Sequence, residues 1–415
     1  MEKKKWRNID NTAKIFSLDF IKNANVFRFS IILKDRVNRK ILKEAVNKSL
    51  GSYSSFKVKL KRGLFWDYFE YNDKDFIVKS SGRRTFDRFN YYRNNDYLIK
   101  VRYYKNKINI DFFHLLTDGV GAINFVKSVV SNYLDIKNET DFNKDEKKYD
   151  VAYQDEFLKN YDKNCKNSDT IKNIYLFPDR MKRGVNNTYH YTINIDDIKK
   201  VSKEKQATIT EYLTALYIYS IYLGMYDKKS KKEIVLTIPI DIRKHYKVDT
   251  LSNFFVCMKV NPKICENNLS SFDGILESVK KEFKNNLTED KIKGYLANEV
   301  RLGQHIGYKY VPGVLKKFVM GNFGKYFGSS TTSTLSNVGV IDVDDRYKKY
   351  IDNIYAIVMP GRLQKIKCTI CSFDKKLNIT MNSNIDDVKF EKKFYEILKK
   401  EIEEIEFLSN VDVDF

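Results

Sequence analysis

Hydrophobic positions recur along this chain with two periods, and the two alternate. Residues 25–33 (NVFRFSIIL), 64–71 (LFWDYFEY), 96–104 (DYLIKVRYY) and 107–113 (KINIDFF) are rich in β-branched and aromatic residues and read as strands. In the last of these, Ile108, Ile110 and Phe112 share one face. Residues 38–50 space Ile41, Ala45 and Leu50 helically, and residues 121–134 set Ile123, Val126, Val130 and Leu134 on one stripe. From Asp135 to about Asn173 the pattern stops: DIKNETDFNKDEKKYD has almost no core residue and predicts a linker. Beyond it the same vocabulary restarts. Strands are predicted at 187–195, 233–243 and 253–261, and helices at 210–226, 270–287 and 290–306. Short strands follow near 331–336, 353–358, 364–372 and 376–382, and then an amphipathic helix carrying Phe390, Phe394, Ile397, Leu398 and Ile405. The mixture predicts an α+β protein without βαβ monotony, its two halves parting at residues 1–175 and 176–415 with the polar linker at about 135–175.

Composition adds limits. A chain of 415 residues is long for a single core, and 42% hydrophobic with 14% aromatic residues is ample for globular folding. The net charge of +21 predicts attraction to polyanions: a phosphorylated small ligand or an acidic membrane surface touched peripherally. No zinc finger, RNA-recognition signature or basic zipper accompanies that charge, so dedicated nucleic-acid binding is not expected. The first residues lack the apolar core of a secretory signal, and no window approaches 18 uninterrupted apolar residues. The five cysteines show no disulfide rhythm, which suits a reducing cytoplasm. Cys368 and Cys371 form a C-x-x-C on a strand-like segment that would send the thiols to opposite faces, so no metal site is expected there.

One stretch invites a chemical reading: DFFHLLTDGVGAINF, residues 111–125. Asp118 is a favoured N-cap for the helix that follows, and Gly119 eases the turn; on that reading His114 merely fills a strand end. The alternative uses His114 as a general base, because a neutral imidazole held rigidly beyond a strand can take a proton at neutral pH. Asp118 would then anchor the corner through an arginine from elsewhere.

HLLTDG, His114–Gly119, resembles the H-x-x-x-D-G signature of the acyl-CoA-dependent acyltransferase superfamily. That group includes chloramphenicol acetyltransferase, plant BAHD acyltransferases, wax ester synthases, bacterial alcohol O-acetyltransferases and peptide-synthetase condensation domains. The motif lies between a strand and a helix about a third of the way along, as in that family. IPIDIRKHYKVDTLSNFF (238–255) resembles the family's strand–Arg–loop–GN segment, with Ser252 where glycine is commoner. STLSNVGVIDV (333–343) resembles the SN-x-G segment of the alcohol acyltransferase and wax ester synthase branch.

The resemblance implies two chloramphenicol acetyltransferase-like sandwich halves with a central channel between them. It implies His114 as the general base, Asp118 and Arg243 as a structural pair, and Gly119 as the residue that keeps the motif turn open. Thr334, Ser336 and Asn337 become candidates for the oxyanion or the channel wall, unless they only shape their corner. The implied reaction is direct transfer of an acyl group, acetyl or another short chain, from acyl-CoA to a small alcohol or amine, with no covalent intermediate. Acyl-CoA would be a co-substrate, and no cofactor would be bound permanently. Condensation domains usually carry two consecutive histidines, whereas Phe113 precedes His114 here, which favours a free acyl-CoA donor. A carrier-protein-dependent condensation enzyme and a non-catalytic binding protein of the same fold are the alternatives.

Overall fold

The computed structural model describes residues 6–18, 25–81, 92–144, 146–149, 155–165, 171, 173–179, 186–267, 269–304 and 331–412. In chain order the first part runs β1 (Trp6–Asn8), α1 (Asn11–Leu18), β2 (Val26–Leu33), α2 (Arg39–Ser52), β3 (Val58–Lys61), β4 (Tyr68–Tyr71), β5 (Val78–Ser80), β6 (Ile99–Tyr104), β7 (Lys107–Phe113), α3 (Gly119–Asn138) and α4 (Glu156–Lys159). The second part runs β8 (Asn187–Asn194), α5 (Ile195–Glu204), α6 (Ile209–Gly224), β9 (Leu236–Asp241), α7 (Arg243–Tyr246), β10 (Phe255–Val260), α8 (Phe272–Asn286) and α9 (Glu289–Gln304). It closes with β11 (Ser333–Val340), α10 (Asp345–Lys348), β12 (Ile351–Val358), β13 (Ile366–Phe373), β14 (Lys376–Ser383), α11 (Lys389–Glu401) and β15 (Glu406–Ser409).

Three sheets form: β1-β4-β3, then β12-β2-β7-β6-β5, then β10-β9-β11-β13-β14-β8-β15. The five-stranded sheet lays Ile31, Ile108, Ile110 and Phe112 against Leu42 of α2 and Phe125 and Val129 of α3, giving the first core. The seven-stranded sheet packs Tyr191, Ile379 and Met381 against Tyr217 of α6 and Phe390 and Phe394 of α11, giving the second. α6 is apolar on nearly all sides because it lies between that sheet and both α8 and α11. Its start is set by a capping box, Thr208 with Glu211. Cys368 enters the second core and Cys371 the first, on opposite faces of β13.

Two expectations need correction. The split near residue 175 is crossed by one strand, because β12, from the second part, pairs antiparallel with β2 and completes the first part's sheet. It also crosses the polar face of the seven-stranded sheet, where the Asn378 amide donates to Asn353 Oδ1 at 2.7 Å and to the Ile354 carbonyl at 3.0 Å. Nor is the polar stretch after α3 bare of anchors. Tyr149 stacks on Tyr53 at 5.1 Å between ring centroids, and Phe157 is fully buried with Phe254, Leu296 and Val300 in a third, small core. Single aromatics secure a segment that has no periodic pattern. The predicted strand 64–71 contracts to β4, and β9 ends before Arg243, which opens α7.

Candidate active site

His114 follows the last residue of β7. Its backbone N–H still donates to the Asn25 carbonyl at 2.8 Å, so the residue is fixed although the strand has ended. The ring is half-buried among Phe16, Phe27 and Phe255, at centroid distances of 4.4, 5.0 and 5.5 Å.

Asn253 sets which ring nitrogen is basic. Its amide nitrogen donates to the His114 carbonyl at 3.0 Å, which turns its Oδ1 toward His114 Nδ1, also at 3.0 Å. An amide oxygen only accepts, so Nδ1 carries the proton and Nε2 keeps its lone pair. Burial lowers the pKa of His114 below the usual histidine value; the charge of Asp118 and the Asn253 bond oppose this without reversing it. The ring is therefore neutral near pH 7. Behind Asn253, at 3.4 Å from its amide nitrogen, lies Oδ2 of Asp10, whose Oδ1 accepts the Ala13 N–H at the start of α1. Burial pushes the Asp10 carboxyl up to about 7.

Asp118 answers both readings of the sequence together. It caps α3 by accepting the Gly121 N–H at 3.0 Å, and it accepts Arg243 Nη2 on both oxygens at 2.9 and 2.8 Å. A fourth donor contact, from the Phe254 N–H, reaches Oδ2 at 2.9 Å. Arg243 spends its other N–H groups on the Thr250 carbonyl, the Ser252 carbonyl and Asp241. The pair is buried, at 4% exposure for Asp118 and 7% for Arg243. It ties the loop 247–254, and hence Asn253, to the corner that presents His114. Thr117 adds a further tie, its hydroxyl donating to the Leu251 carbonyl at 2.6 Å.

The glycine that this corner crowds is Gly121. A Cβ there would meet Thr117 Oγ1 at 2.2 Å and the Leu251 carbonyl oxygen at 2.5 Å, whereas one on Gly119 would only touch Val338 at 3.5 Å. The same contact shows that β11 reaches the motif. On β11 the Thr334 hydroxyl donates to Gln364 at 2.9 Å, and exposed Asn337 donates to Thr210 at 2.8 Å and accepts the Gly339 N–H, both bonds shaping its corner. Ser336 is half-buried, and its hydroxyl makes no hydrogen bond among the described residues.

Of the other histidines, His190 is bonded to Thr380 at 2.9 Å and driven by burial to a pKa of about 3, and His245 is exposed. His305 lies outside the described residues. Among the described residues no three His, Cys, Asp or Glu side chains gather as a metal site, and no helix is long and apolar enough to cross a membrane. Asn253, Asp10 and Gly121 were not singled out in the sequence. The SN ending of the loop was a signal for the first, and an Asp preceding NTAKIF for the second.

No protein-family model matches the chain, and no curated protein sequence does. Solved structures do. Trichothecene 15-O-acetyltransferase TRI3 of Fusarium sporotrichioides superposes with a TM-score of 0.64 at 9% identity, covering 95% of this chain and 94% of that one. TRI101 of F. sporotrichioides, complexed with coenzyme A and T-2, gives 0.62 at 8% identity over 97% and 99%. The starter condensation domain of rhizomide synthetase, a point mutant in complex with C8-CoA, gives 0.58 at 8% identity over 96% and 94%. Whole-length superposition at such low identity establishes a shared fold: the chain is an α+β protein of the two-halved chloramphenicol acetyltransferase-like architecture that these acetyltransferases and condensation domains share.

Proposed function

We propose that this protein is an acyl-CoA-dependent acyltransferase with His114 as its general base. The observation that carries the reading is the Asn253 clamp, which leaves Nε2 unprotonated on a half-buried, neutral ring. In the proposed reaction Nε2 takes the proton from the hydroxyl or amine of a small acceptor as its oxygen or nitrogen bonds to the thioester carbonyl carbon. The C–S bond of the resulting tetrahedral intermediate then breaks, and the proton passes from His114 to the departing thiolate. Ser336, with its hydroxyl uncommitted, is the candidate among Thr334, Ser336 and Asn337 for steadying the oxyanion. Asp118 and Arg243 act as positioning residues. Crystal complexes of the same fold with coenzyme A or C8-CoA support the donor class. Condensation domains of the same fold keep a carrier-bound thioester as the second reading, with unchanged chemistry at His114.

The test is thiol release from acetyl-CoA with a panel of alcohols and amines. His114→Ala should reduce turnover by about 10²- to 10⁴-fold, the usual share of a placed base, with an unchanged circular dichroism spectrum. Wild-type activity in that variant would remove His114 from the mechanism.

A further inference from the structure

One row of side chains crosses four strands of the seven-stranded sheet. Lys259 on β10 stands opposite Thr237 on β9, Thr237 beside Thr334 on β11, and Thr334 beside Lys367 on β13. Directly paired residues share a face, so the four form a line with a lysine at each end. All four are half-buried, while Met258, Leu236, Leu335 and Cys368, which alternate with them, are buried on the opposite face. The same half-buried face continues along β10 through Cys257 to Phe255, whose ring touches that of His114. Lys259 thus stands four residues beyond the base's neighbour, about 13 Å along the strand. Lys367 lies near enough for its charge to act on both His114 and Cys257.

The Lys259 ammonium makes no hydrogen bond or ion pair among the described residues, although the residue is partly removed from water. A partly desolvated ammonium without a counter-charge is unfavourable until an anion arrives. The two threonines are neutral and bond to neighbours, Thr237 to Thr331 and Thr334 to Gln364, so the two lysines are the charged members of the row. The pantetheine arm of CoA separates thioester sulfur from diphosphate by a comparable stretch.

We propose that Lys259 and Lys367 form an anion subsite that receives the diphosphate of the acyl-CoA donor, the pantetheine arm running along β10 to place the thioester at His114. This rests on the acyltransferase reading and adds to it the donor's direction and its charged anchor.

The experiment pairs two donors. Acetyl-CoA carries the phosphates; the acetyl thioester of N-acetylcysteamine is neutral and short. Lys259→Ala should raise KM for acetyl-CoA at least about tenfold, the value of a charge-assisted contact, with kcat within about twofold and KM for the short thioester unchanged. Lys259→Arg should restore most of the loss. Equal changes for both donors, no change for either, or a change confined to an acidic acceptor would each overturn the assignment. Calorimetric titration of the full chain with CoA and with pantetheine reads the subsite without turnover. CoA binding that weakens in Lys259→Ala while pantetheine binding holds supports it, and equal binding of the two by the wild type overturns it. CoA binding without thiol release would defeat the reaction while leaving the subsite standing.

Discussion

Two buried aspartates, seven positions apart, hold arginines in different ways. Asp111 on β7 takes Arg28 of β2 at 3.1 Å through Nη2, with a closer contact through Nε, and Arg102 of β6 at 3.0 Å; all three side chains are at 3% exposure. Burial pushes its pKa up, but Arg28 and Arg102 outweigh that and hold it low. Every member of this triad belongs to one sheet. Asp118, by contrast, takes Arg243 from 125 positions away and shares it with the loop that carries Asn253. Burial works against the charge of Arg243, yet Asp118 and Asp241 raise its pKa. The same ionic chemistry therefore fastens a sheet to itself in one place and fastens the second part of the chain to the proposed base in the other. Where the partners sit, within one sheet or in two parts of the chain, separates the two roles.

Substitutions can break that contrast. Asp111→Ala removes the carboxylate that two buried guanidiniums share and should cost about 3–5 kcal/mol in urea unfolding, while molecules still folded keep wild-type kcat; a matching fall in kcat would erase the distinction. Asp118→Asn retains an acceptor for the cap but loses the charge facing Arg243. It should cost about 2–3 kcal/mol and, unlike Asp111→Ala, also lower kcat in the folded fraction. Gly121→Ala should cost about 1–3 kcal/mol by pressing on Leu251, with Gly119→Ala within about 0.5 kcal/mol by the same thermal melt. Smallest is a shift in pH dependence. Burial keeps His114 neutral to below its ordinary pKa, so the acid limb of kcat/KM should fall below about pH 6.5. Asn253→Asp sets a carboxylate against Nδ1–H, favours the imidazolium, and should move that limb to higher pH; an unmoved limb would deny Asn253 its hold on the ring. The stability change has the matching sign: with a lowered native pKa, the unfolded chain protonates first, so stability drops as pH falls through about 6.5.

Strong periodicity made much of the fold legible. β7, α3, α6, α8 and β14 fall within a few residues of their predicted spans because each carries a long run of one period. β1, β5 and β15 are too short to show alternation, and α5 is so polar that Ile198, Val201 and Ser202 are its buried residues. At the candidate site, His114 and Asp118 stood out by spacing, and Arg243 by the family resemblance of its segment. Asn253 did not, because its bond to His114 spans 139 positions: the SN ending of its loop marks the residue without naming its partner. Gly119 drew attention as part of a motif, while the steric demand on Gly121 comes from Leu251, which only the folded loop brings near.

The position of β12 has a consequence for how the molecule is made. β2 finds its outer neighbour only in residues 351–358, so during synthesis the first sheet waits with a bare hydrogen-bonding margin until most of the polypeptide has left the ribosome. A fragment ending at the polar stretch would keep that margin permanently, and would be prone to clump with its own copies.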